Sequence, residues 1–348
     1  MKVNVTEAVQ ADRAEIENFL FNCDDSFAYH HPQWLEAIKQ VYGYDNYYLV
    51  AKEVNSIVGI LPICIFKGIF RQESYCSLPF CDVGGVVTAH EYVREALVKH
   101  ALQLLNRNNS KHLEIRQRSS GSRTETAFTN RKVSMLLSLP GCSETLMKGF
   151  KSKLRSQIKR AEKNGLTFDC TSEESAIGDF YEIFASNMHR LGSPVHSLKW
   201  FQTIRRLYID NFLVGRVLCG DKVVGVGIII FSGNNVSIPW ASTLREYNHL
   251  APNMWLYWNL LRISCERKCQ TFDFGRSTFQ EGTFKFKEQW GAKPVLLDWQ
   301  YLNQSGLSSV SLPLKLGKTR QFFEFFWKRT PLFVANFLGP KLRKHISL

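Results

Sequence analysis

Five charged side chains crowd one short stretch of large aromatics: Asp273, Arg276, Glu281, Lys285 and Lys287 all lie between Phe272 and Trp290. The stretch opens as Phe272-Asp273-Phe274-Gly275-Arg276-Ser277. Apolar and polar residues alternate and then stop at glycine, the pattern of a short buried strand. It continues as Gly282-Thr283-Phe284-Lys285-Phe286-Lys287-Glu288-Gln289-Trp290-Gly291, a glycine-led loop, a threonine cap and about two turns of helix closed by glycine. Charge gathered just past a strand end is charge where open α/β sheets place ligands. Arg276 offers a fork for a phosphate, or an ion pair with Asp273 or Glu281. Glu281 is a candidate general base. Asp273 alternates with buried aromatics, which either buries it with a shifted pKa or makes it a cap. Lys285 is a further candidate substrate contact. Lys287 stands among Phe284, Phe286 and Trp290, a setting that a non-catalytic scaffold does not need.

The elements that must position these residues recur. In the first half, helices over about 11–21 and 34–41 precede a strand at Tyr47–Lys52, a turn, and a strand at Ile57–Phe66. Strands near 74–78 and 83–88 follow. Val93, Leu97, Ala101, Leu104 and Leu105 then keep helical spacing, and Leu113-Glu114-Ile115 resumes a strand. The polar stretch 119–132 is expected to be a loop. In the second half, Val195-His196-Ser197-Leu198-Lys199-Trp200 echoes His31-Pro32-Gln33-Trp34 and opens a helix to Tyr208. Strands at 212–216, 223–231 and 236–241 lead to a helix begun by Pro252. Phe272-Asp273-Phe274 stands where Leu113-Glu114-Ile115 stood. The offset of roughly 160 residues predicts two copies of one domain, in the element order of the GNAT (N-acetyltransferase) fold. A helix over about 143–164 joins the copies. Leu146, Phe150, Leu154 and Ile158 form its apolar stripe, and Lys151, Arg155, Lys159 and Lys163 form a basic one. His196, paralleling His31, is a base candidate or a fold residue. Trp240, Tyr257 and Trp290 line a sugar or acyl pocket or pack the core. After Tyr301, residues 305–309 read as a loop. The aromatic run 322–327 and a helix over Leu332–Leu338, stopped by Gly339-Pro340, form a basic tail. That tail is either an interfacial anchor or a helix packed on the first domain.

The chain has 348 residues, 45% of them hydrophobic, and a formal net charge of +13. Such a balance favours anionic partners without choosing among them. No RNP-type motif, zinc finger or leucine zipper is present, so sequence-specific nucleic-acid binding is not expected. The nine cysteines form no Cys-x-x-Cys, and Cys265 and Cys269 lack the partners of a zinc site. No metal and no nucleophilic triad is expected. The N-terminal residues lack the apolar core of a signal peptide and no apolar run is long enough to span a bilayer. A cytoplasmic protein is expected, touching the inner membrane face at most peripherally.

The Phe272–Ala292 stretch is similar to the C-terminal signature of FemAB-like acyltransferases, in the branch associated with exosortase/PEP-CTERM gene systems. His31-Pro32-Gln33-Trp34, Ser77-Leu78-Pro79-Phe80, Leu154–Gly165, Arg190–Val195 and Ser242–Asn248 agree, so the resemblance runs nearly end to end. It implies α/β architecture with mixed α+β sheets: two tandem GNAT-like domains, a connecting helix and a C-terminal helical tail. The domains would span 1–142 and 166–304, with the helix at 143–165 and the tail, 305–348, packed on the first domain. It implies an acyl or aminoacyl transfer to an amine, on an amino sugar of an envelope or exopolysaccharide precursor, with Lys287 contacting the reacting ester. The donor is open: aminoacyl-tRNA, acyl-CoA or acyl carrier protein, with no cofactor bound. A sugar-nucleotide or lipid-linked sugar would be the anionic acceptor. Thr243–Asn253 occupies the place of a CoA pyrophosphate loop but has no glycine. Arg245, Asn253 and the amides ahead of Pro252 remain phosphate ligand candidates. A non-catalytic module binding polysaccharide or membrane is the alternative of another class.

Overall fold

β-Branched runs closed by tight turns fold as a long antiparallel hairpin in each of two units. The computed structural model describes residues 3–68, 73–107, 112–119, 128–129, 131–303, 306–309 and 318–347. The first unit comprises Met1–Ser134, Val295–Leu314 and His345–Leu348, and the second Met135–Pro294 and Lys315–Lys344.

In the first unit β1 (Asn4–Glu7), α1 (Arg13–Phe21) and α2 (Pro32–Tyr42) precede β2 (Asn46–Glu53), β3 (Ser56–Lys67), β4 (Glu73–Cys76), α3 (Glu91–Arg107) and β5 (Leu113–Arg118). The strands lie in the order β1-β2-β3-β4-β5. All neighbours are antiparallel except β4 and β5, which are parallel and joined through α3. Val93, Leu97, Ala101 and Leu105 of α3 are fully buried on Leu49, Leu61 and Ile63 of the hairpin, as a 3.6-residue apolar stripe on a sheet face requires. Pro32 opens α2, and Gly43 in the left-handed region closes it.

The second unit runs β6 (Lys132–Ser138, its residues from Met135 on), α4 (Ser143–Gly149), α5 (Ser152–Lys163), β7 (Leu166–Thr171), α6 (Ser175–Leu191), α7 (Leu198–Tyr208), β8 (Phe212–Cys219), β9 (Lys222–Ser232), β10 (Asn235–Thr243), α8 (Pro252–Glu266), β11 (Thr271–Thr278) and α9 (Gly282–Glu288). Strands β7-β8-β9-β10-β11 are neighbours in that order, antiparallel up to β10 and parallel between β10 and β11. The duplication is therefore real: β2-β3-β4-α3-β5 and β8-β9-β10-α8-β11 share one topology. Gly215 and Gly227 face α8 so closely that an added Cβ would lie 2.8 and 3.2 Å from Leu260. Glycine at these positions lets the helix sit down on the sheet.

Several expectations are corrected. The helix over 143–164 is two helices, because Phe150 is extended (ψ 146°) and buries its ring against Trp258 and Trp290. Residues 83–88 form no strand; only Val87 bridges to Ile60. The polar stretch 119–132 falls largely outside the described residues. The chain does not stay in the second unit to residue 304. Residues from Val295 return as β12 (Lys293–Asn303) to pair antiparallel with β5, Leu297 opposite Arg118 through Leu302 opposite Leu113, and β13 (Gly306–Ser309) folds back on β12 where a loop was expected. The tail expected as one packed piece is divided between the two units. Of the residues from 305 on, Lys315–Lys344 belong to the second unit, while those up to Leu314 and His345–Leu348 belong to the first. Trp327, Ala335 and Gly339 are the buried positions of α10 (Lys318–Trp327) and α11 (Leu332–Arg343), and Gly339 lies against Val195. The final helix also runs on through Pro340 to Arg343.

The echo between the halves is displaced by one residue. His31 is the N-cap of α2 and Ser197 the N-cap of α7, so Trp34 and Trp200, both fully buried, hold the same helical position. His196 therefore corresponds to His30 and not to His31. Both are buried. His30 Nδ1 accepts the Phe27 N–H at 3.1 Å, and His196 stacks on Trp200. Burial, with Arg118 nearby, lowers His30 from 6.5 to about 3, and burial with Arg343 nearby puts His196 well below its usual value. The unfolded chain takes up protons on these rings near pH 6.5 while the folded chain does not. The stability they confer is thus present above pH 6.5 and is lost as pH falls toward the folded values, by about 1.4 kcal/mol per pH unit for each ring. Urea midpoints measured between pH 7 and 4.5 are expected to fall steeply, and His30→Gln to flatten the slope. A slope unchanged in that variant would show that the ring does not titrate on unfolding.

Candidate functional site

The parallel ladder between β10 and β11 has three rungs, Asn235–Thr271, Val236–Phe272 and Ser237–Asp273. Both strands continue beyond it, β10 to Thr243 and β11 to Thr278. Past Ser237, β10 is irregular against β9, with the register shifting between Ser237 and Trp240. Past Asp273, β11 meets Gly275, whose φ of +73° lies in the left-handed region. The strands separate there, and the candidate residues gather at the separation.

Lys287 holds the β11 side of it. Its side chain is buried, and Nζ donates to the carbonyls of Gly275 (3.0 Å) and Arg276 (2.8 Å). In a regular strand successive carbonyls point to opposite edges, so one donor cannot reach two in a row. The left-handed turn at Gly275 brings both onto one ammonium, and a residue without Cβ is the one that adopts it without strain. Asp273 adds a second tie: its Oδ1 accepts the Gly275 N–H at 2.8 Å, and the carboxylate is buried. The Asp-x-Gly-Arg spacing thus specifies the distortion. α9 carries Lys287 back to the strand, with Phe284 buried on the same short helix.

An aromatic wall closes one face. Tyr257 of α8 stacks on Phe274 at 5.6 Å and meets Phe286 at 5.1 Å, and Trp290, fully buried, meets Phe150 at 5.5 Å. Burial pushes the Tyr257 hydroxyl above its usual pKa, so it stays protonated across the working range. Trp240 lies on the other face. Its neighbour Ala241 sits beside Gly227, which faces Leu256 and Leu260 of α8, so alternation turns Trp240 away, onto Phe201 of α7 at 5.0 Å. His196 packs in that second cluster, on Trp200 and Phe201. The structure ties Asp273, Gly275, the Arg276 backbone and Lys287 to one another, groups Tyr257 and Trp290 with Phe286 beside Phe274, and places Trp240 and His196 against α7. Glu281 is the exposed N-cap of α9 and Lys285 is exposed on the same helix. Arg276 is half-buried on β11. Arg245 is exposed in the 3-10 segment Arg245–Leu250, and Asn253 is half-buried in the first turn of α8.

Two kinds of residue escaped the sequence reading. Ser237 and Ser277, on the separating strands, are buried, and among the described residues neither hydroxyl has a partner, nor has the Trp290 indole N–H. Buried polar groups are normally satisfied, and other buried groups, such as the Gln157 amide oxygen and the Trp255 indole N–H, likewise have no partner among the described residues. Serines in a strand give no such signal in sequence. Ala251 (φ 62°) and Gln280 (φ 63°) hold left-handed backbone just before α8 and α9, a strain that gathers at functional sites. Among the described residues no group of three His, Cys, Asp or Glu side chains is placed to hold a metal ion, and no helix is long and apolar enough to cross a membrane.

Residues 148–288 match the family model of the Acetyltransferase (GNAT) domain, a span that includes the strand separation and Lys287. No curated protein matches the chain by sequence. Among solved structures it is similar to FemX, at 12% identity over 94% of this chain and 100% of that one, with a TM-score of 0.67. It is also similar to the C-terminal domain of a lysylphosphatidylglycerol synthetase from Agrobacterium fabrum (12% identity, 90% and 94% covered, TM-score 0.55) and to a tandem GNAT protein from the clavulanic acid biosynthesis pathway (10%, 90% and 100%, TM-score 0.52). At such identities the likeness is one of fold: tandem GNAT-type units.

The Lys287–Gly275 clamp is open to a double-mutant test. Gly275→Ala forces a Cβ into the left-handed region and is expected to cost about 1–2 kcal/mol. Lys287→Met leaves the two carbonyls without this donor and is expected to cost about 1–3 kcal/mol. The double variant should lose less than the sum, because both changes break one arrangement. Strict additivity in urea titrations would mean that the two residues act independently.

Proposed function

We propose that this chain is an amide-forming acyltransferase. It moves an acyl or aminoacyl group from a carrier ester to an amine, on an amino sugar of an envelope or exopolysaccharide precursor in systems of the exosortase/PEP-CTERM-associated branch. The observation that supports this best is the buried Lys287 ammonium, fixed on two backbone carbonyls where β10 and β11 separate. The amine nitrogen attacks the acyl carbon, the C–N bond forms and the carrier C–O bond breaks. A proton leaves the amine, and the departing carrier oxygen ends protonated. Asp273, at the last rung of the ladder, receives the amine's proton, and Glu281 is the second candidate for that step. Negative charge grows on the acyl oxygen in a water-poor setting walled by Tyr257, Phe286 and Trp290. There a fixed cation stabilises it without reorganising. Arg276 and Arg245, with Asn253 and Lys285, hold donor or acceptor phosphates.

The loop before α8 favours a tRNA ester over acyl-CoA as donor. A pyrophosphate needs backbone amides aimed at it from a helix N-terminus. Here the amides of Tyr247, Ala251 and Met254 donate to carbonyls of the turn itself, and Pro252 has none. The chain's positive balance suits the phosphates of a tRNA acceptor end, and it equally suits an acidic acyl carrier protein, whose phosphopantetheine thioester would break at sulfur instead.

Purified protein incubated with charged tRNAs, acyl-CoAs or acylated carrier protein against amino-sugar nucleotides, read by mass spectrometry, is expected to give amide product with tRNA or carrier protein. Lys287→Met, checked for folding by circular dichroism, should lower turnover by about two to three orders of magnitude. Full activity in that folded variant rejects the assignment. Product from none of the donors, with binding to polysaccharide, would favour a non-catalytic assembly role.

A further inference from the structure

More than half of the large apolar side chains exposed among the described residues fall between Phe322 and Leu338. Phe322, Phe325 and Phe326 lie on α10, spaced for one helical face, with the Phe322 and Phe326 rings 4.5 Å apart. Phe333 and Phe337, one turn apart on α11, are 76% and 66% exposed. These rings are not what holds the helices down. That is done by Trp327, Ala335 and Gly339 from the opposite side, with the Trp327 carbonyl meeting His189 Nε2 at 3.0 Å. Solvated aromatics in this number mark an interaction surface.

The charge around them selects the partner. Residues 318–344 contain seven Lys and Arg and a single acid, Glu324. Cations sit on the aromatic rims: the Arg329 guanidinium lies 3.4 Å from the Phe325 ring centre and Lys341 Nζ lies 3.9 Å from that of Phe337. A second copy of a chain with net charge +13 would bring like charge against like. A bilayer with anionic headgroups offers acyl boundary to the rings and negative charge to the cations, the pairing that interfacial helices use.

We propose that α10 and α11 form a peripheral docking surface for an anionic lipid bilayer. The surface shares no residue with Lys287 and its wall, so the inference stands independently of the acyl-transfer reading.

The test is co-sedimentation of the full chain with large unilamellar vesicles. Vesicles of phosphatidylcholine with about one third phosphatidylglycerol are expected to bind it at least about ten-fold more tightly than phosphatidylcholine alone, since each juxtamembrane cation contributes about five-fold. Raising sodium chloride from about 0.1 M to about 0.5 M should weaken binding. The double variant Phe333→Glu/Phe337→Glu should lose at least about ten-fold in affinity while keeping its circular dichroism and melting temperature, because both side chains are exposed. Equal binding to both vesicle types, no binding, or unchanged binding by the double variant would each overturn the proposal. So would concentration-dependent dimerisation, abolished by the same substitutions, in a protein without vesicle affinity.

Discussion

The candidate site depends on one ammonium reaching two consecutive carbonyls. Lys287 can do so only because Gly275 leaves the extended conformation, and Gly275 is held there from the other side by the Asp273 carboxylate. The same distortion ends the pairing of β11 with β10, since a strand that turns its carbonyls onto a lysine no longer offers them to its neighbour. Opening the sheet and placing a positive charge beside the opening are thus one event. The brevity of α9 follows as well. Two turns are what it takes to bring Lys287 back onto residues 11 and 12 positions before it in the chain.

The first unit meets the same topological problem and solves it differently. Its parallel ladder is shorter, with rungs at Tyr75–Leu113 and Cys76–Glu114. Beyond it the space is taken by Arg116, fully buried. Arg116 pairs with Glu114, donates to the carbonyls of Cys81 and Ser347, and lies 4.2 Å from the Trp299 ring centre. Gly85 lets backbone come close to β5 at this point, and Gly84 gives room to the Leu78 side chain. Where one copy keeps the strands apart around a lysine, the other fills the equivalent place with its own side chains and chain end. Chemistry at this position is therefore an expectation for the second copy alone.

Much of this was legible in the residues. The hairpins, α3, α8 and the duplicated order follow from periodicity and turn chemistry. Phe272-Asp273-Phe274-Gly275 announced a strand that would stop at glycine, whereas β11 runs on to Thr278 with Gly275 left-handed inside it. What could not be read was any feature that depends on distant partners. Phe150 breaks the helix expected over 143–164 because Trp258 and Trp290 stand ready to cover its ring in the fold. β12 leaves the second half because β5 has an edge to fill, and no local pattern at Lys293–Asn303 says which sheet it joins. The one-residue displacement that makes His196 the counterpart of His30 is invisible until the helix caps are seen. The aromatic tail misled for another reason. Helical spacing of large rings normally signals a core, and here the burial is done by Trp327, Ala335 and Gly339 while the phenylalanines face solvent.

Strain at the two helix starts is part of the same logic. Ala251 and Gln280 hold left-handed backbone at a cost of about 1–2 kcal/mol each. Ala251 is the N-cap of α8, which delivers Tyr257, and Gln280 precedes the N-cap of α9, which delivers Phe284 and Lys287. Left-handed backbone at those points leads the chain from the 3-10 segment Arg245–Leu250 into α8, and from the end of β11 at Thr278 into α9. The stacking of Tyr257 on Phe274 and the clamp of Lys287 on β11 oppose that strain from within the folded unit. The cost is therefore met during folding, before any substrate is present. That is the condition under which a fixed charge can stabilise a transition state without having to be assembled around it.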